Sequence, residues 1–333
     1  MLPLGKLPPE LLAALLGRYG STDPRVVVRP GVGLDCAVID MGDRLLVAKT
    51  DPITFATDAI GWYAVQVNAN DIATTGARPR FFMAALLLPG GLADAGMAET
   101  ILSQIAEACA EIGASLVGGH TEITYGIDRP IVAGTMFGEV EPGRLITAAG
   151  AQTGDAVIVT KGVPVEATAI IAREKGQALA GKFPADFLAR CRDFLYRPGI
   201  SVVRDAQIAQ EAGRVTAMHD PTEGGLATGF WEIADATGRG MEVDESALPI
   251  LPEGRALCEA FGLDPLGAIA SGALLLTAPQ ADAPRIAAAL EAEGIAAHVV
   301  GRMSDAPGVR LHRAGGLIPL YRPPRDEITR LFE

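Results

Sequence analysis

The sequence is short of the features that most quickly give a function away. It has four histidines and four cysteines in 333 residues, and Cys36, Cys109, Cys191 and Cys258 stand far apart with no C-x-x-C pair. That pattern excludes a zinc knuckle or a disulfide framework and fits buried thiols in a reducing compartment. Basic residues are outnumbered 28 to 40 by acidic ones, leaving a net charge of −12. A nucleic-acid groove needs clustered Lys and Arg, so that class is excluded. Nucleotides stay open, because a triphosphate can be held through divalent cations that carboxylates bind. No apolar run reaches the roughly 18 residues of a membrane span. The N-terminal "LPPELLAALLGRYG" reads as a helix with Pro and Glu10 in its first turn, not as a basic leader with a cleavage site. The expected compartment is the cytoplasm. There is no G-x-S-x-G elbow, no fixed-period repeat and no low-complexity tract.

What the chain does have is a regular alternation. "RVVVRPGVG" and "RLLVAKTDPI" are β-branched or Leu-rich runs ending at turn residues, and both read as strands. "GWYAVQVNANDIATTGA" reads as a helix stopped by Gly76 and Pro79, and "FFMAALLLPG" as a buried strand. "AETILSQIAEACAEIGA" sets Ile101, Ile105, Cys109 and Ile112 on one helical face, closed by Gly113. "SLVGG" and "IVAGTMFGEV" are again strand-like. Near "GRLITAAGAQTGD" the apolar pattern lapses before "AVIVTKGV" starts afresh, which marks a domain boundary. Helices around Val165 to Arg173, in "SVVRDAQIAQEAG" and in "APRIAAALEAEG", with strands "GALLLTA" and "AAHVVGRM", repeat the alternation. The chain is 49% hydrophobic. The expected fold is α/β or α+β in two domains, residues 1–145 and 146–333.

Four segments concentrate the chemistry. On a helix, residues three and four apart share a face, so Asn68, Asp71 and Thr75 make a polar stripe. It faces either solvent or a charged ligand. Gly31-x-Gly33 before Asp35 lacks the third glycine of a dinucleotide fingerprint. It is a tight turn or, with Asp51 ending the next strand, part of a carboxylate pair suited to magnesium. "VGGHTEIT" sets Gly118, Gly119, His120 and Thr121 after a strand, where a glycine-rich turn would offer backbone N–H groups to phosphate. "HDPTEGGL" sets Asp220, Thr222 and Glu223 before Gly224, Gly225 and a helix. Asp220 or Thr222 caps that helix, or the helix start takes an anion. A zinc site built on His120 and His219 lacks an H-x-x-x-H or Cys partner. "GQALAGKF" imitates a phosphate loop, but Phe183 stands where Ser or Thr is needed, so it reads as a loop between helices.

In this order and at these separations, "GLDCAV", "TDPI", "NANDIATTGARP", "GGHTE" and "HDPTEGGL" resemble the aminoimidazole ribonucleotide synthetase superfamily. Its members include thiamine-monophosphate kinase, selenophosphate synthetase and the hydrogenase maturation protein HypE. "PGISVVRDA", "ASGALLLTAP" and "VVGRM" carry the likeness through the second half, and "DPTEGGL" is most similar to the HypE branch. The resemblance implies a two-domain PurM-like fold, a homodimer joined through the N-terminal sheets, and ATP with Mg2+ beside that interface. It implies that Asp35, Thr50, Asp51 and Asp71 face the metal and phosphates, and that Gly118, Gly119 and Thr121 form a phosphate-contacting turn with His120 among them. Asn68, Thr222 and the Gly224–Gly225 helix start join the nucleotide site, and Asp71 and Asp220 are the implied catalytic carboxylates.

The implied chemistry is ATP-dependent phosphorylation of an oxygen, often amide-like, on a small substrate or on a partner protein's group. The alternatives are a nucleotide-binding dimer without turnover that serves as a maturation partner, and a thiamine-monophosphate kinase-like transfer. Two departures bear on this. The HypE branch carries its substrate on a C-terminal cysteine, whereas this sequence ends "DEITRLFE" with its last cysteine at 258. His120 stands where the kinase branch has an aspartate, which removes a hard oxygen ligand. Cys36 reads as packing in a turn rather than as a selenium-handling thiol.

Overall fold

The computed structural model describes residues 2, 7–29, 31, 34–54 and 58–332. The chain divides into two compact units, residues 1–145 and 146–333. The first contains α1 (Pro9–Tyr19), β1 (Val26–Val28), β2 (Ala37–Asp40), β3 (Leu45–Ile53), α2 (Ile60–Thr74), β4 (Arg78–Pro89), α3 (Ala95–Ile112), β5 (Ser115–Thr124) and β6 (Ile131–Val140). Its six strands form one sheet in the order β1-β2-β3-β6-β4-β5. β4 and β5 run parallel because α3 is the crossover between them.

β6 alternates half-buried and buried residues along its whole length, the mark of a sheet covered on one face. α2 and α3 supply that cover. Ile101, Ile105 and Cys109 of α3 are buried as their spacing predicts, Ile112 is half-buried, and Gly113 ends the helix at φ +71°. α2 lies deeper than an amphipathic surface helix, with Gln66, Asn68, Asn70 and Asp71 buried along with its apolar residues. Close approach to the sheet is possible because Gly138 has no side chain: a Cβ there would fall 2.3 Å from Ile72 Cγ2. The solvent-facing stripe is therefore excluded.

The second unit contains β7 (Ala156–Thr160), α4 (Val165–Glu174), α5 (Gly176–Leu179), α6 (Ala185–Asp193), α7 (Val203–Ala212), β8 (Ala217–His219), α8 (Gly225–Thr237), β9 (Gly240–Asp244), α9 (Pro252–Ala260), β10 (Leu275–Ala278), α10 (Ala283–Ala292), β11 (Ala297–Ser304), β12 (Gly308–Arg313) and β13 (Gly316–Pro319). Its seven-stranded sheet has the order β13-β12-β9-β11-β7-β10-β8. One apolar cluster joins α8, through Leu226, Phe230 and Ile233, to Val157, Val159 and Val300 of the sheet. A second joins Ile171 of α4, Leu188 of α6 and Leu257 of α9. The phosphate-loop imitation is one helical turn, α5, followed by a bridge between Ala180 and Phe183. Among the described residues no helix is long and apolar enough to cross a membrane.

Candidate functional site

The helix-covered face of the first sheet carries an ionic cluster. In β3, Leu45, Val47 and Lys49 all point to that face and are buried. Lys49 is the polar intruder in this row. Its Nζ lies 2.6 Å from Asp71 of α2, 3.4 Å from Asp51 and 3.6 Å from Asp35. Three carboxylates predicted from separate segments thus meet on one ammonium that the sequence reading passed over. Burial opposes the Lys49 charge, and the Asp71, Asp35 and Asp51 carboxylates outweigh it, so its pKa is raised and it stays charged. Burial pushes Asp71 up to about 6 in spite of Lys49, with Asp35 and Asp51 adding to the rise. Cys36 is buried beside them, and desolvation with the Asp71 charge pushes its thiol well up. A thiol held protonated packs rather than reacts. Gly33 of the Gly31-x-Gly33 turn lies outside the described residues, and Gly31 bridges to Leu34.

Asn68 closes the floor of the cluster. Its Nδ2 donates to Ala64 O at 2.8 Å and to Asp51 O at 3.4 Å, while its Oδ1 is buried without a partner. Three carboxylates and an orphaned amide oxygen are hard donors, which suit Mg2+. Among the described residues, however, no three His, Cys, Asp or Glu side chains are grouped to ligate one ion as they stand. Lys49 Nζ holds the centre, so a ready-made metal site is not what the chain presents. A divalent cation and the ammonium compete for the same oxygens.

Several expected members are elsewhere. Thr50 follows Lys49 in the strand and so points to the opposite face, where its hydroxyl donates to Gly134 O at 2.8 Å and meets Thr135 Oγ1 at 3.2 Å. It does not join Asp51. Gly118, Gly119, His120 and Thr121 lie inside β5, not in a turn. The bulge at Val117, where the register with β4 slips, and a Cβ-free Gly119 lying against Ala84 keep the strand going. In register, His120 pairs with Ala85 and Thr121 with Leu86, so the two point to opposite faces. β6 and β4 separate β5 from β3, about 14 Å at 4.8 Å per strand. His120 is exposed with Nε2 3.5 Å from Glu122.

In the second unit, His219 Nε2 is 2.6 Å from Glu232, and no described His–Cys group supports zinc. The N-cap position of α8 is Gly224, which has no side chain, so neither Asp220 nor Thr222 stands at the cap position. The Gly224 N–H donates to Asp326, 2.7 Å away, and this distant carboxylate occupies the anion position at the helix start. Asp220 is buried at the end of β8. Glu166, on the first turn of α4, is also buried, and burial pushes it up to about 8.

Two α/β units built in this way, the first with a carboxylate-rich cluster under its sheet, define a PurM-like architecture. The model for AIR synthase related proteins matches residues 33–140 with its N-terminal domain and 152–313 with its C-terminal domain. The chain belongs to the AIR synthase related protein family. It is similar to carbamoyl dehydratase HypE of Rhodobacter capsulatus, with 32% identity over 292 residues, 85% of this chain and 82% of that one. A crystal structure of the hydrogenase maturation protein HypE in complex with ATP matches with a TM-score of 0.72 and 26% identity, covering 97% of each chain. Thiamine monophosphate kinase from Aquifex aeolicus shares the fold, with a TM-score of 0.67 over 86% of this chain and 92% of that one at 20% identity.

Proposed function

We propose that this protein binds ATP with Mg2+ at the Asp35–Asp51–Asp71 cluster and phosphorylates an oxygen, amide-like in the favoured case, of a small substrate. The observation that carries the reading is the convergence of three carboxylates on Lys49 beneath the sheet. Phosphoryl transfer leaves the protein little covalent chemistry to do; it must position the phosphates and offset their charge. Mg2+ held by the carboxylates supplies that offset, and Lys49, once shared, is a point charge for a phosphate oxygen. The ATP complex of HypE supports the nucleotide.

The same reading makes the protein a homodimer through its first sheet. The face opposite the helices exposes Phe81 and Met83, and the edge strand exposes Leu116, Val117 and Ile123. An apolar edge strand of ten residues is a liability unless another chain covers it. Pairing is also the route by which Gly118, Gly119 and Thr121 of a second copy reach the nucleotide.

The test is phosphate release or transfer from Mg·ATP, with and without a panel of small amides. Asp71→Asn is expected to lower turnover at least about tenfold, or roughly 1.4 kcal/mol. An unchanged rate removes Asp71 from the chemistry. Nucleotide binding with no phosphate release under any condition leaves the turnover-free dimer instead.

A further inference from the structure

The ionic cluster of the first unit has an inner and an outer side, and its ammonium sits at the inner one. Along β3 the helix-facing row runs from buried Leu45, Val47 and Lys49 to half-buried Asp51 and Ile53. Exposure rises in the same direction across the carboxylates, from Asp71, nearly out of solvent, through Asp51 to half-exposed Asp35. Lys49 Nζ is nearest the innermost of them, 2.6 Å from Asp71 against 3.4 Å from Asp51 and 3.6 Å from Asp35. Asn68, one turn before Asp71 in α2, reaches the Asp51 carbonyl with Nδ2 and keeps a fully buried Oδ1 without a partner.

This arrangement opposes each ligand when it comes alone. A divalent ion entering from the outer side meets Asp35 and Asp51, but Asp71 is held by an ammonium whose charge repels the ion. The oxygens must close to about 2.0–2.6 Å around one point, and no three described carboxylates are grouped that way as they stand. A triphosphate without metal meets the opposite fault, because three carboxylates around one ammonium leave the cluster net negative. Together the two relieve each other. A phosphate oxygen accepts a charge-assisted hydrogen bond from the ammonium, and the carboxylate oxygens it gives up become available to the metal.

We propose that Lys49 is a gate: it keeps divalent metal off Asp71 until a polyphosphate draws the ammonium outward, so that metal and nucleotide bind as a coupled pair. The inference rests on the nucleotide reading given above and adds to it the residue that couples the two ligands. By linkage, the nucleotide strengthens metal binding by the same factor as the metal strengthens nucleotide binding.

The test is equilibrium dialysis of the full chain against Mn2+, against the β,γ-imido analogue of ATP, and against both, in the wild type and in Lys49→Met. The wild type is expected to bind each ligand at least about thirtyfold more tightly when the other is present. Lys49→Met should move two affinities in opposite directions. Mn2+ alone should bind at least about tenfold more tightly than to the wild type, and the analogue with Mn2+ at least about tenfold more weakly. A lysine that only braced the fold would, when removed, weaken both. The proposal is overturned if the wild type holds Mn2+ alone as firmly as with the analogue, or if the variant gains no Mn2+ binding. Equal retention of the analogue with Mn2+ by both proteins also overturns it. The gate and the nucleotide reading fail separately. Equal Mn2+ binding by both proteins, with the analogue held by the wild type, overturns the gate and spares the nucleotide. Mn2+ gained by the variant, with the analogue held by neither protein, supports the bar at Lys49 and removes the nucleotide. The wild-type comparison needs no variant and decides the matter if Lys49→Met fails to fold.

Discussion

Replacing Lys49 by methionine removes the cation on which Asp35, Asp51 and Asp71 converge. The ammonium lies 2.6 Å from Asp71, and both side chains are largely out of solvent, at 9% and 12% exposure. Removing one partner of a buried pair costs about 3–5 kcal/mol, because the remaining charge is left uncompensated. Asp51 and Asp35, at 36% and 49% exposure, are screened by water and add little. At about 2–4 °C per kcal/mol for a domain of this size, Lys49→Met should lower the unfolding midpoint by roughly 6–20 °C. Circular dichroism melts measure this directly. The same variant tests the competition between ammonium and metal. Without Lys49 the three carboxylates should take a divalent ion, so millimolar MgCl2 should recover part of the loss in the variant and move the wild type less. A loss below about 1 kcal/mol, or an equal Mg2+ effect on both proteins, refutes the assignment of Lys49 as the resident counter-charge.

Glu166 gives a pH prediction. Its folded carboxyl is pushed up to about 8 from an ordinary 4.5, so the folded state holds the proton more tightly than the unfolded chain. Its contribution is greatest below about pH 4.5 and is lost as pH rises through about 8, at up to about 1.4 kcal/mol per unit. Melts across that window should fall less steeply for Glu166→Gln, and identical slopes would contradict the burial of this group. Asp326→Ala deletes a charged acceptor from the Gly224 and Ile328 N–H groups, at 2.7 and 2.8 Å. It should cost about 2–4 kcal/mol in chemical denaturation, and a cost under about 0.5 would show the helix start to be capped otherwise. Val117→Asp on the exposed edge strand should shift the mass seen by light scattering from dimer to monomer; an unchanged dimer would place the interface elsewhere.

The alternating architecture was readable because strand and helix periods differ and because glycine and proline punctuate them. "IVAGTMFGEV" and the α3 stripe show this directly. Short strands such as β2, β8 and β9, of four, three and five residues, carry too little period to be read. The carboxylates Asp35, Asp51 and Asp71 were each legible, but their common partner was not. Its signal was present: Leu45, Val47 and Lys49 alternate on one face, and a lysine ending a buried row needs a counter-charge. The same period of two would have sent Thr50 to the other face. The "VGGHTE" turn failed because glycine pairs mark turns on average, whereas here one of them admits a neighbouring backbone within a strand. Asp326 and Glu166 could not be tied to the Gly224 segment from sequence, since 102 residues separate Gly224 from its capping carboxylate.

The central claim is that the Asp35–Asp51–Asp71 cluster is where Mg·ATP binds. Thermal unfolding with and without Mg·ATP, in the wild type and in Asp71→Asn, tests it most directly. Ligand at about 100 times its Kd adds roughly 2.7 kcal/mol to the state that binds it, which moves the midpoint by several degrees. The expected result is a rise in the wild type that Asp71→Asn loses. No rise at millimolar Mg·ATP, or an equal rise in the variant, contradicts the claim.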